Sequence, residues 1–182
     1  MLNQKILDDV KNLGISAAAY FTAGEGDFKF DARFRKLCED NTCGSYGRNY
    51  MCPPAIGSFE DCKNEILRFK HALVAETIYP LEDSFDFEGM MEGQAKHNKM
   101  ARSIARLVYE GLGKDKALVL SAGGCSFCEV CGIITGEPCR APENAMASLE
   151  AYGINVSEIG RVSDLKYING VNTVTYFAGV FY

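Results

Sequence analysis

The chain has no run of about eighteen apolar residues, so no membrane-spanning helix is expected. Its opening residues, MLNQKILDD, lack the long apolar core of a signal peptide. Nothing repeats at a fixed period and no segment is low in complexity, which argues against solenoids and disordered tails. Tryptophan is absent, and the two histidines are His71 and His97. No P-loop, dinucleotide fingerprint or H-E-x-x-H helix occurs, so three common catalytic architectures lack their signatures. Basic charge is also short. Lys and Arg number 19 against 24 Asp and Glu, a net charge of −5 that disfavours bulk nucleic-acid binding.

What the chain does have is cysteine, eight residues of it. Eight cysteines without an export signal point to reducing cytoplasm and to metal ligation, not to a disulfide scaffold. A length of 182 residues, 47% hydrophobic and 24% charged, fits one soluble metal-binding domain spanning residues 1–182. Four cysteines crowd into nineteen residues, SAGGCSFCEVCGIITGEPC, as Cys125, Cys128, Cys131 and Cys139. Thiolates at such intervals are soft ligands able to converge on one metal or cluster. The C-x2-C-x2-C start matches the bacterial ferredoxin run, and the fourth cysteine follows four residues later than in that run. A zinc site more often pairs two separated C-x2–4-C knuckles. A cubane [4Fe–4S] cluster is therefore the leading expectation, with zinc, then disulfides or free thiols, behind it. Gly123 and Gly124 let the chain turn tightly just before the first sulfur.

Taken in order, Gln4–Leu13 reads as a helix with Ile6, Leu7, Val10 and Leu13 on one face and Gly14 as its stop. Residues 15–21 read as a weak, alanine-rich strand, and Gly24 and Gly26 as a turn. Asp31 caps a helix through Leu37 that delivers Cys38. Cys38, Cys43 and Cys52 then stand at C-x4-C-x8-C in a loop closed by Pro53 and Pro54. Ser58–Asp61 is a capping box for a helix to about Phe69, and Cys62 falls on that helix's apolar face. Cys62 is read as a packed core thiol, with a fourth ligand for the first cysteine group as the lesser reading. Ala72–Ile78 is a strand, and His71 before it is taken as structural or exposed. Residues 90–110 form the longest helix, with Met100, Ala101, Ile104, Leu107 and Val108 as its stripe. His97 is taken as a helix-surface residue needing no function, and Lys96, Lys99, Arg102 and Arg106 as a solvated basic face. Gly111 and Gly113 stop that helix. A strand at 117–122 opens the cysteine loop. Pro142–Tyr152 is expected to be a helix with Ala145, Met146 and Leu149 inward and Gly153 as its stop. A short helix at 156–165, a turn at Asn169–Gly170 and a closing strand at Thr173–Tyr182 complete the chain.

Four strands with intervening helices predict an α/β fold: a compact four- or five-stranded mixed sheet, helices packed on it, and cysteine-rich metal-binding loops. A split β-α-β arrangement with an antiparallel edge is a variant. Thr173–Tyr182 should lie in the sheet next to or near the 117–122 strand.

Two signatures, C38-EDNT-C43-GSYGRNYM-C52-PP and GGC125-SF-C128-EV-C131-GIITGEPC139-RAPE followed by MASLEAYGINV, resemble the predicted metal-binding proteins grouped as domain of unknown function 2284. With the apolar last strand, the resemblance covers nearly the whole chain. It implies that Cys125, Cys128, Cys131 and Cys139 are ligands of an iron–sulfur cluster or another metal. It implies a second cysteine group in Cys38, Cys43 and Cys52, and it leaves Cys62 outside the pattern.

Three functions are compatible with these residues. The first is an iron–sulfur protein of electron transfer or redox chemistry, carrying one or two [4Fe–4S] clusters and serving a redox partner protein or small molecule. The second is a metal-dependent enzyme with an open site at the incomplete first cysteine group, where Tyr46, Arg48 and Asn49 would contact an anion or donate protons. The third is a structural-zinc module for protein interaction. Whether the chain is an enzyme stays open at this point.

Overall fold

A computed structural model describes residues 2–22 and 28–182. The turn expected at Gly24 and Gly26 lies outside the described residues. Within them, six α-helices and four strands follow one another: α1 (Leu2–Lys11), β1 (Ala17–Thr22), α2 (Ala32–Glu39), α3 (Phe59–Leu67), β2 (His71–Pro80), α4 (Phe87–Leu112), β3 (Leu118–Leu120), α5 (Gly132–Thr135), α6 (Val156–Val162) and β4 (Thr173–Phe181).

The sheet order is β1-β2-β4-β3, and every hydrogen-bonded neighbour pair is antiparallel. The fold class is α/β, as expected. β2 and β3 run in the same direction with β4 inserted between them, so β2-α4-β3 is a split β-α-β unit. Parallel pairing survives only as an isolated bridge between Ser121 and Ser148. The closing strand pairs with β2 from Thr173 to Phe181 and with β3 at its last residues, where Val180 faces Val119.

The sheet has apolar side chains on both faces because strand residues alternate in direction. On β2, Ala72 and Val74 join Phe177, Phe181, Leu120 and Ile154 under α3 and α6. Leu73 and Ala75 join Val119 and Val180 on the other face, under Ile6 and Val10 of α1 and Ile104, Ala105 and Val108 of α4. A central strand covered on both sides needs a continuous apolar run, and ALVA supplies it.

Two sequence expectations change. His97 is not on the helix surface. It is 1% exposed, with its Nδ1 2.8 Å from Thr77 Oγ1 and its Nε2 3.0 Å from the Phe177 carbonyl oxygen. Position 97 continues the Ala101, Ile104 and Val108 stripe one turn earlier, and the sheet supplies the polar partners that make burial tolerable. Residues 142–152 are not a helix. They turn at Pro142–Asn144, run extended past β3, and turn again into Gly153. The Ser121 amide donates to the Ala147 carbonyl (2.9 Å) and the Leu149 amide to the Ser121 carbonyl (3.0 Å). Ser121 is buried at the edge of a three-residue strand, and its backbone groups need partners. That need overrides the helix propensity of Ala, Glu and Met here. Smaller shifts are that α4 runs through Gly111 to end at Gly113, and that α6 stops at Val162.

Candidate metal centre

The first cysteine group hangs from α2. The Asp31 carboxylate caps it by accepting from the Arg33 amide (2.9 Å), and the helix delivers a half-buried Cys38. Arg35, buried on the same helix, ties the loop down: its guanidinium donates to the carbonyls of Ala151 (2.9 Å) and Gly57 and reaches Cys62 Sγ at 3.7 Å. The loop then folds in successive turns, with Gly44 bonded to Asn41, Gly47 to Pro53 and Cys52 to Asn49, and closes at a cis Pro53–Pro54 peptide. Cys43 is exposed and Cys52 buried. Burial, then the nearby Cys43, Cys38, Cys125 and Cys131 thiols, pushes the Cys52 thiol up to about 11. Cys38 is raised too, by burial first and Cys43 second.

The second group follows β3, and α4 aims it. Gln94, Asn98 and Arg102 stand four residues apart, along one line of that helix. At Gly123, which has φ +71°, an added Cβ would collide with the Gln94 amide. Asn98 accepts from the Ser121 hydroxyl (2.8 Å) and donates to Ser126 Oγ (3.4 Å). The Arg102 guanidinium lies 5.2 Å from the Phe127 ring centroid. Three helix side chains thus grip residues 121–127 between the strand and the first sulfurs.

The return of Cys139 depends on α5, a single turn starting after Cys131. Gly136, in the left-handed region, caps it, and the Glu137 amide bonds back to the Gly132 carbonyl (2.9 Å). A Cβ at Gly132 would lie 2.6 Å from the Pro138 oxygen and 2.7 Å from the Glu137 oxygen, so only glycine permits so close a return. Arg140 pairs with Glu137 at 2.8 Å and bonds the Val130 carbonyl (3.4 Å). Glu137 first, then the Cys128 and Cys131 thiols, raises the Arg140 pKa.

The two loops meet at Asn49, Tyr50 and Met51. Asn49 Nδ2 donates to the Cys125 carbonyl (2.7 Å), and its Oδ1 accepts from the Met51 amide (2.9 Å). The Tyr50 hydroxyl donates to the Glu137 carbonyl (2.7 Å), and the Tyr50 amide donates to Cys131 Sγ at 3.5 Å. Cys125, Cys128, Cys131 and Cys139 all line one gap of about 20 Å³, walled by Tyr50, Met51 and Phe127.

The family model described as predicted metal-binding protein (DUF2284) matches residues 24–182. The chain belongs to this family. No curated protein and no solved structure matches it.

The metal expected of a DUF2284 protein suits the donor set at this gap. Among the described residues its lining includes four thiols and no His, Asp or Glu, a thiol-rich environment for a thiophilic metal. The gap is about the size of one water, and among the described residues no three His, Cys, Asp or Glu side chains stand grouped closely enough to hold an ion. A metal held here would have to draw the sulfurs together.

Of the other residues named from sequence, Cys38 and Cys43 line neither this gap nor the open groove of about 390 Å³ beside it. Cys52 lies behind the glycine turn: a Cβ on Gly124 would sit 3.4 Å from its sulfur. Cys62 is 1% exposed and donates to the Ile56 carbonyl (3.5 Å) inside the core. His71 belongs to the β2 ladder, its ring 5.5 Å from that of Tyr182. Asn49 is a loop-to-loop clamp, Arg48 borders the open groove, and the Tyr46 amide bonds Asn41 Oδ1. Sequence reasoning missed Tyr50 and the Gln94–Asn98–Arg102 line. The four-residue spacing of the latter, adjoining the apolar stripe, was the available signal. No helix among the described residues is long and apolar enough to cross a membrane.

Proposed function

We propose that Cys125, Cys128, Cys131 and Cys139 hold one [4Fe–4S] cluster and that the protein works in electron transfer or redox chemistry. The observation that carries this reading is that all four thiols line a single gap at which, among the described residues, no carboxylate or imidazole stands. When bound, such a cluster supplies one-electron redox chemistry. The chain's own residues then set its surroundings. The Tyr50 amide, already pointed at Cys131 Sγ, is a hydrogen-bond donor to a ligating sulfur, and such donors raise the potential. Phe127, Met51 and Ala141 wall the gap on one side, while Cys125, Cys128 and Cys131 also border the open groove.

Cys38, Cys43 and Cys52 are proposed as a second metal-binding group. Their support is mutual proximity: Cys43 and Cys38 both bear on the Cys52 thiol. In the described conformation Cys52 also faces Cys125 and Cys131, so the two groups adjoin.

The test is iron, acid-labile sulfide and zinc per chain, with Mössbauer spectra, on anaerobically purified protein and on Cys128→Ala. The expectation is about four iron and four sulfide for each cluster held, with the Cys128→Ala spectrum altered and its iron reduced. A spectroscopically unchanged full complement in Cys128→Ala refutes the ligand assignment. Stoichiometric zinc without sulfide, despite anaerobic expression and iron supply, selects a structural-zinc protein instead.

A further inference from the structure

Beside the cysteine gap lies a larger cavity of about 640 Å³, between α4 and the segment 143–146. That volume is in the usual range for small-molecule sites. Its charge is unusual for a chain of net −5. Lys99, Arg102, Arg106 and Lys114 line it, against Glu110 and Glu143. Among the described residues none of these four cations makes an ion pair. Like charges gathered without partners repel one another, and an anion in the cavity relieves that cost.

Apart from Ser103 and Asn144, the remaining walls are aromatic or apolar. Phe127 is 47% exposed and is shared with the cysteine gap, and Arg102 lies over its ring. Tyr109 and Met146 complete an apolar lining. The Tyr109 hydroxyl is turned to the sheet, where it accepts from the Val119 amide (3.2 Å), so its ring presents an apolar surface.

We propose that this cavity binds a small aromatic anion: a flat ring against Phe127 and Met146, and a phosphate or carboxylate held by Arg102 and Arg106 with Lys99 and Lys114 around it. This does not depend on which metal the cysteines hold. Binding would press on the Ser126–Phe127 stretch that separates Cys125 from Cys128.

Isothermal titration calorimetry at low salt tests it, on the protein as purified, with 1-naphthyl phosphate, 1-naphthoate, inorganic phosphate and uncharged 1-naphthol as probes. At least one aromatic anion should saturate a single site, with inorganic phosphate and naphthol about tenfold weaker or worse. Whichever of the two aromatic anions binds more tightly identifies the preferred acidic group. Arg102→Gln and Arg106→Gln should each weaken binding about fivefold or more, while Arg161→Gln, whose side chain pairs with Glu158 outside the cavity, should not. Circular dichroism confirms that each variant is folded. Failure of both aromatic anions to saturate overturns the proposal. So does equal affinity for naphthol, or affinity unchanged in both arginine variants. None of these outcomes bears on the iron and sulfide analysis, so the two readings fail separately.

Discussion

Acid should destabilise this protein through His97, by an amount that can be worked out. The Phe177 carbonyl can only accept, so Nε2 carries the proton and Nδ1 accepts from the Thr77 hydroxyl. A second proton would therefore go on Nδ1, break the Thr77 bond as oriented, and place a cation between α4 and the sheet. Burial, partly opposed by the Phe177 carbonyl, lowers the His97 pKa from 6.5 to about 4. In the unfolded chain it returns to the ordinary value. Between pH 6.5 and about 4 the unfolded state thus binds more protons, and stability falls as pH falls through that window. At about 1.4 kcal/mol per pH unit the full effect is about 3 kcal/mol, of which about 2 kcal/mol appears between pH 7 and 4.5. The assay is urea unfolding at several pH values for wild type and His97→Gln. Glutamine can still donate to the Phe177 carbonyl, so the variant should fold at neutral pH with a loss of about 1–3 kcal/mol. Carboxylates and metal ligands titrate in both proteins, so their difference isolates His97. The stability of wild type relative to the variant should fall by about 2 kcal/mol on going from pH 7 to 4.5. Parallel curves, within about 0.5 kcal/mol, would refute the reasoning.

Two further variants probe the cysteine loops. Cys62→Ala should cost about 1 kcal/mol for a small cavity in the core, with iron content unchanged; loss of a metal equivalent would make Cys62 a ligand after all. Gly132→Ala forces a methyl group onto the Glu137 and Pro138 carbonyls, so it should cost about 1–3 kcal/mol and lower metal retention by displacing Cys139. Chelator challenge measures the second effect, and wild-type retention in Gly132→Ala would show that Cys139 does not depend on that close return.

The strands were readable because their chemistry is local. ALVA in β2 and TVTYFAGVF in β4 are β-branched, aromatic or continuously apolar, and the structure pairs both in the sheet. The capping box at Ser58 and the cap at Asp31 were readable for the same reason, since each satisfies amides within three residues. The segment 142–152 was not. What decides it is a buried amide and carbonyl at Ser121, more than twenty residues away, and no local propensity encodes that demand. His97 failed in a related way: periodicity placed it on the stripe, but its burial depends on Thr77 and Phe177 across the sheet. At the site, the sulfurs announce themselves by spacing. The side chains that aim them, Asn98 from α4 and Asn49 and Tyr50 from the other loop, are ordinary polar residues that become meaningful only once the chain has folded.

The division of labour between core and loop explains why four thiols can face one gap without being drawn into a ligand set. The ends of the 121–139 stretch are fixed by forces that need no metal: Ser121 in the sheet edge and in Asn98's hydrogen bond, and Arg140 and Ala141 after the return turn. Its middle is fixed mainly by the Asn49 and Tyr50 bonds. Bringing the sulfurs to a shared metal, as proposed, would then order a few residues between braced ends, and not a free loop of nineteen residues. The remaining ordering cost would fall within the metal's binding free energy, since that energy is also folding energy for the residues it fixes. The braces come from α4 through Asn98 and from the Asn49–Met51 loop, so the stretch is held by the core on one side and by the first cysteine loop on the other.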